Sequence, residues 1–310
     1  ALRQWQRLGA GLSHDDWFGT FVADLHSLTT HRDGCAALQQ RARDTAAALL
    51  ACGMDDTRVF RQSAVPEHTE LAWVLNCLAP FGEMERMVQF KEKSEMNPNA
   101  INVGLFAYPI LQAADILIYR PEMVPVGIDQ AQHLELTRTL ARKFNNQFCP
   151  DEPLFIEPKT LHTKTLKILG LDGKRKMSKS YNNYIALTAT EDELWQALRN
   201  GATDPARIRR DDPGNPDVCN IFSFHKMFSP ESDQQEMAAG CRAATIGCVD
   251  CKKTLHKNLN NFIAPIRERY EQLMAKPDDV RDMLAAGAAK ANAVASQTLE
   301  NVFSLIGCKF

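Results

Sequence analysis

The feature that most constrains this chain is a change of hydrophobic pattern part-way along it. Up to about residue 190, short aromatic and β-branched runs alternate with longer runs of helical spacing. Trp17-Phe-Gly-Thr-Phe-Val-Ala-Asp24, Thr57-Arg-Val-Phe-Arg-Gln-Ser63 and Met123-Val-Pro-Val-Gly127 read as short buried strands. Between them, Cys35 to Cys52 ends at Gly53 as a helix with a C-terminal glycine, and Glu67 to Ala79 reads as a second helix. Strand and helix in alternation predict a parallel α/β layer. After Asp192 the strand pattern stops. Apolar residues then recur at helical spacing through Glu193–Leu198, Gln234–Arg242, Leu255–Tyr270, Val280–Ala286 and Ala289–Leu305. The expectation is an α/β domain over residues 1–187 followed by an all-helical domain over 188–310.

Composition narrows the functional classes. With 310 residues and 45% hydrophobic content there is material for two domains with buried cores. A net charge of −2 gives no whole-molecule basic field, so a polyanion partner must be met by a local patch. The strongest apolar run, Gly104 to Tyr119, carries Asp115 and falls short of the ~20 apolar residues of a membrane span, so no membrane role is expected. Nine cysteines are too few for a disulfide scaffold and odd in number, which favours a reducing, cytoplasmic compartment. Ala1-Leu-Arg-Gln-Trp-Gln-Arg7 reads as an amphipathic helix already under way, and the expectation is that residues precede it.

Three segments carry chemistry. In Asp172-Gly-Lys-Arg-Lys-Met-Ser-Lys-Ser180, four cations (Lys174, Arg175, Lys176 and Lys179) stand among serine hydroxyls and a flexible Gly173. Such a loop either is a solvated basic turn or folds over a polyphosphate, compensating charge on transferring oxygens. In the second segment the strand Met123–Gly127 ends beside Asp129 and Gln130, where ligands of open α/β sheets bind. Gly127 allows close backbone approach, and Asp129 is either a ribose acceptor or a helix cap. In the third, Phe106 to Tyr119 is an apolar helix whose one ionisable carboxylate, Asp115, must be hydrogen-bonded if buried. It is either paired to a neighbouring backbone or kept for a donor-only substrate group such as an indole N–H.

Lys176-Met-Ser-Lys-Ser180 resembles the signature loop of class I aminoacyl-tRNA synthetases, and the other two segments resemble those of the bacterial-type tryptophanyl enzymes. Phe21-Val-Ala-Asp-Leu-His-Ser-Leu-Thr-Thr30, Ala51-Cys-Gly-Met54, Gln62-Ser-Ala-Val-Pro-Glu-His68 and Gly82-Glu-Met-Glu-Arg-Met-Val-Gln-Phe-Lys91 extend the likeness over nearly the whole chain. The resemblance implies a Rossmann-like nucleotide-binding domain followed by a helical tRNA anticodon-binding domain. It implies activation of L-tryptophan by ATP with Mg²⁺ and its transfer to tRNA(Trp) by a homodimer. By the same resemblance Lys176, Met177, Ser178, Lys179 and Ser180 are catalytic, and Gly127, Asp129 and Gln130 hold ATP with Lys176 and Lys179. Asp115 reads the indole nitrogen, Tyr108 and Gln130 hold the α-amino group, and Gln112, His26, Val124 and Val126 line the tryptophan pocket.

Cys219, Cys241, Cys248 and Cys251 follow the spacing C-x21-C-x6-C-x2-C, a metal-ligand pattern that suits Zn²⁺ or a [4Fe–4S] cluster. A subset of tryptophanyl-tRNA synthetases has this pattern, and the resemblance implies the iron–sulfur cluster. Arg242, Lys252 and Lys253, with Arg207, Arg209, Arg210 and Lys257, are expected to form the basic surface that the net charge hides. The family's second signature, His-x-Gly-His or His-x-Gly-Asn, is absent from these residues. In relatives it ends just before a Gly-Ala-Leu stretch, and this chain begins Ala1-Leu2. The expectation is that the signature precedes Ala1. The alternatives are an inactive RNA-binding or redox-sensing remnant, and a tyrosyl enzyme of the same subclass.

Overall fold

In the computed structural model, residues 19–30, 34–54, 58–90, 101–127, 130–162 and 168–309 are described. The elements in chain order are β1 (Thr20–Val22), α1 (Asp24–Ser27), α2 (Cys35–Ala51), β2 (Val59–Arg61), α3 (Glu67–Leu78), α4 (Phe81–Glu85), α5 (Val103–Leu117), β3 (Met123–Val126), α6 (Ala131–Phe148) and β4 (Lys159–His162). Five helices follow: α7 (Glu191–Arg199), α8 (Asn220–Phe228), α9 (Glu231–Arg242), α10 (Cys248–Ala275) and α11 (Pro277–Leu305). The result is a mixed α/β chain with parallel strands and a helical C-terminal region, as the pattern requires. β1 pairs with β2 in register Thr20↔Val59, and β3 pairs with β4 in register Met123↔Lys159, both parallel. No helix among the described residues is long and apolar enough to cross a membrane.

The chain divides into two compact units, Ala1–Lys164 with Lys276–Phe310 and Thr165–Ala275. This differs from the expected division at 187/188 in two ways. The Lys176–Ser180 loop falls in the second unit. The final helix α11 returns to the first, where it packs on β2, α2 and α3. The runs Val280–Ala286 and Ala289–Leu305 are one helix continuous through Gly287. That glycine lies directly on the backbone of Val59, where a Cβ would come within 2.1 Å of the Val59 carbonyl oxygen. The absent side chain lets helix and strand touch, which outweighs the ~1 kcal/mol helix cost of glycine.

In the first unit, Phe60, Leu71, Leu75, Ile110, Leu117, Leu140, Phe144, Ala291 and Leu299 are buried in one apolar core. Each large side chain there contributes about 1.5–3 kcal/mol, so the core holds α5 firmly although Pro109 sits inside it. The second unit has its own core of Leu171, Leu194, Leu198, Ile221, Phe224, Leu255, Leu259 and Ile263. A capping box starts α7: Glu193 N donates to Thr190 Oγ1 (3.2 Å) and Thr190 N donates to Glu193 Oε2 (2.9 Å).

Candidate active site

Asp24 anchors the first part of the site. It follows β1, is buried, and accepts from Arg61 Nε and Nη2 at 3.0 and 2.8 Å and from Ser63 N and Oγ at 3.0 and 2.6 Å. The carboxyl ends of the paired strands are thereby tied together. Gln62, wholly buried beside this clamp, accepts from the backbone N–H of His26 at 3.3 Å and donates through Nε2 to both oxygens of Asp115 at 2.8 and 2.9 Å. His26 Nε2 bonds Asp115 Oδ2 at 2.7 Å, and His68 Nδ1 bonds Oδ1. The far nitrogen of His68 meets the Tyr119 hydroxyl at 2.7 Å.

Asp115 is 4% exposed. Burial pushes its carboxyl upward, but the hydrogen bonds and charge of His26 and His68 outweigh that and hold it below the usual carboxylate range. It is therefore an ionised acceptor within an apolar helix. Burial, then the charges of Asp115 and Glu67, push the Tyr119 phenol well up, so it remains a neutral donor. His68 is fully buried and His26 is 20% exposed in its side chain, so His26 marks the open edge of the carboxylate.

Tyr108 lies on the same face of α5 as Asp115, two turns earlier. Its hydroxyl donates to Gln89 Oε1 at 2.9 Å and meets His133 Nε2 at 2.9 Å, and burial raises it to about 12. Gln112 Nε2 donates to Gln130 Oε1 at 3.2 Å, bringing together two residues expected around tryptophan. Val124 and Val126 alternate along β3 and are half-buried, with Gly127 at the strand end accepting from Gln130 N at 3.0 Å. Asp129 lies outside the described residues. An apolar cleft of about 400 Å³ beside Tyr108 is lined by Leu25, Leu28, Trp73, Asn102 and Leu111; of the expected pocket residues only Tyr108 reaches it.

In the second unit, the signature loop is a short hairpin. Leu169 and Lys176 form an antiparallel bridge, Gly170 N donates to Arg175 O at 2.8 Å, and Met177 N donates to Ile168 O at 3.1 Å. Gly173 turns the chain at φ +64°, a region that favours glycine. Lys174, Arg175, Lys176 and Lys179 are exposed, while Met177 packs against the unit's core. The Arg175 guanidinium stacks 5.0 Å from the Tyr181 ring centre.

The four cysteines gather around the start of α10. Cys219 precedes α8, Cys241 is on α9, and Cys248 and Cys251 occupy the first turn of α10; all four are half-buried. Burial raises the Cys251 thiol to about 12, aided by the negative charge of Cys219, Cys241 and Cys248 and opposed by Arg207. Arg207 is buried and donates to Cys241 Sγ at 3.5 Å. Among the described residues, no three His, Cys, Asp or Glu side chains are arranged to hold a metal ion. The expected four-cysteine metal site is thus not formed by these side chains as they stand; burial raises the Cys219 and Cys251 thiols, and a neutral thiol is a poor metal ligand. A second expectation also changes. Arg207 and Lys252 are not surface cations. Lys252 Nζ donates to the carbonyls of Arg199 and Gly201 at 2.8 and 2.7 Å from a buried position.

The sequence pattern of class I tRNA synthetases (W and Y) matches residues 2–264. The chain belongs to this family. Among curated relatives, a tryptophan–tRNA ligase of Deinococcus radiodurans is 45% identical over 313 residues, covering 99% of this chain and 92% of its own. One from Thermotoga maritima is 45% identical over 287 residues, covering 91% and 86%. Among solved structures, tryptophanyl-tRNA synthetase from Campylobacter jejuni complexed with ADP and tryptophan superposes with a TM-score of 0.90 at 33% identity, covering 99% of this chain and 93% of that one.

For this class I synthetase chain, sequence reasoning identified Asp115 and His26 but gave no role to Gln62, His68 or Tyr119. The usable signal was in the string Gln62–His68 already noted, but polarity there did not single out Gln62 and His68 from Glu67, Thr69 and Glu70; their burial, which makes the amide and imidazole need a partner, is seen only in the fold.

Proposed function

We infer that the chain is a tryptophan–tRNA ligase, activating L-tryptophan with ATP and transferring it to tRNA(Trp). The observation that carries this reading is Asp115: an ionised carboxylate, held at the carboxyl ends of β1 and β2, on a helix that is otherwise apolar. An indole N–H is donor-only and suits that acceptor, approaching on the His26 side. The tryptophan carboxylate oxygen bonds to the ATP α-phosphorus, the bond from that phosphorus to the bridging oxygen breaks, and pyrophosphate leaves. A ribose hydroxyl of the tRNA terminus then attacks the acyl carbon and AMP leaves. Lys176 and Lys179 compensate charge on the phosphate oxygens, and Mg²⁺, when bound, neutralises the pyrophosphate. Tyr108 and Gln130 hold the α-amino group, and Gln112, which donates to Gln130, lines the pocket beside them.

The test is ATP–pyrophosphate exchange with tryptophan or tyrosine, on this chain and on one extended by a His-x-Gly-His type segment. Tryptophan-dependent exchange supports the ligase; exchange with tyrosine alone moves the chain to the tyrosyl enzymes; none in either form makes it a remnant.

The thiol group fits a bound dicationic core. Such a core with four thiolates carries two net negative charges, and two buried cations, Arg207 and Lys252, stand beside the cysteines. Arg207 Nε, buried, finds no acceptor among the described residues, and Gly214 sits so close to Cys241 that a Cβ would meet its Sγ at 2.5 Å. We propose that the site holds a [4Fe–4S] cluster, as the resemblance to the tryptophanyl enzymes with this cysteine spacing implies, with Zn²⁺ as the alternative occupant. Iron, sulfide and zinc analysis with absorbance near 400 nm separates the two. The nine free cysteines fit a cytoplasmic setting. Trp73, Phe81 and Val103 are 72%, 70% and 81% exposed on α3, α4 and α5, and they fit a homodimer face.

A further inference from the structure

One buried amide organises the signature loop. Asn183 is 4% exposed. Its Nδ2 donates to Asp172 Oδ2 at 3.0 Å and to the Lys176 carbonyl at 3.3 Å, and its Oδ1 accepts from Ser178 N at 2.8 Å. Its backbone carbonyl accepts from Leu171 N at 2.8 Å. Asp172 in turn accepts the N–H groups of Lys174 and Arg175 at 3.1 and 3.2 Å. A single side chain therefore ties the turn that enters the loop to the backbone on both sides of Met177. Gly170 makes the room for it: a Cβ there would lie 2.1 Å from Asn183 Nδ2.

Lys176 and Lys179 are exposed, so their placement depends on the backbone that carries them. That backbone runs through the groups Asn183 satisfies. Losing that amide breaks three hydrogen bonds at once, while Asp172 keeps those from the Lys174 and Arg175 N–H groups, so the turn is untied from the backbone around Met177.

We propose that Asn183 is a positioning residue for adenylate formation, holding the Lys176–Lys179 backbone so that both ammonium groups are preset for the ATP phosphates. The catalytic half of this inference rests on the tryptophan-activating reading. Asn183→Ala lowers kcat of tryptophan-dependent exchange about 100-fold, the size expected for a group misplaced by about 1 Å, with KM for tryptophan unchanged. Asn183→Asp sets a carboxylate against Asp172 and is at least as damaging. Adding Asp172→Asn to it exchanges the two roles and restores part of the turnover.

Trypsin supplies a readout independent of catalysis, since Lys174, Arg175, Lys176 and Lys179 are all cleavable. Asn183→Ala speeds nicking in this loop roughly tenfold, about one hydrogen bond's net contribution, and the double exchange slows it again. Nicking equal to wild type, or a fall in kcat matched by a rise in KM for tryptophan, overturns the proposal. If the wild type itself shows no exchange, the functional reading fails on its own account and the nicking rates alone decide whether Asn183 clasps the loop.

Discussion

The imidazole of His68 joins Asp115 to Tyr119, with Nδ1 on the carboxylate and Nε2 2.7 Å from the phenol. All of this lies at the edge of the first unit's core, so the carboxylate is held from behind by groups that no substrate reaches. His68→Ala removes a donor from a buried charge. It should destabilise the protein by about 3–5 kcal/mol, read from urea unfolding, while His26→Ala, at the open edge, costs less than half of that.

The same carboxylate sets a pH dependence. Its pKa is depressed in the folded protein, so its stabilisation is fully present above the unfolded value of about 4 and is lost as pH falls from there through the folded value. Urea midpoints measured from pH 6 down to pH 3 should fall more steeply for the wild type than for Asp115→Asn, which has no charge to lose.

The corrected basic surface gives a contrast between neighbours. Arg209, Arg210, Arg242, Lys253 and Lys257 are exposed on the second unit, whereas Lys252 is buried. Lys253→Ala should weaken tRNA binding and lower the slope of log affinity against log salt by about 1. Lys252→Ala should instead lower thermal stability, because the Arg199 and Gly201 carbonyls lose their donor, with the salt slope unchanged.

Gly287→Ala tests the close approach of α11 to β2. A methyl group there meets the Val59 carbonyl at 2.1 Å, so helix and strand must separate, at about 1–3 kcal/mol by chemical denaturation despite the better helix propensity of alanine.

Much of this was legible in the sequence, for physical reasons that can be named. β1, β2 and β3 were marked by β-branched and aromatic runs, and α2 by its terminal Gly53, which has φ +83°. β4, Lys159–His162, was not, because four residues beginning with lysine and preceded by Pro158 carry no alternation. Gly287 reads as a breaker until the strand beneath it is seen. Charge alone does not reveal burial, so in sequence Arg207 and Lys252 look no different from the exposed Arg209 and Lys253. Asp115 stood out as a carboxylate in an apolar helix, but the identity of its partners, Gln62 and His68, depends on the packing of α3 and the turn before it against α5, across 53 and 47 residues of sequence.

The most direct test is amino-acid discrimination by Asp115, measured as kcat/KM in ATP–pyrophosphate exchange for tryptophan and phenylalanine in the wild type and in Asp115→Asn, both in whichever form, as given or extended, shows exchange. Wild type should favour tryptophan by at least about 100-fold, since phenylalanine cannot add an indole donor to a carboxylate that His26, His68 and Gln62 already hold. Asp115→Asn should lose about 10- to 100-fold on tryptophan, the worth of a charge-assisted hydrogen bond, and little on phenylalanine. Equal losses on both amino acids, or undiminished preference for tryptophan in Asp115→Asn, would contradict this reading.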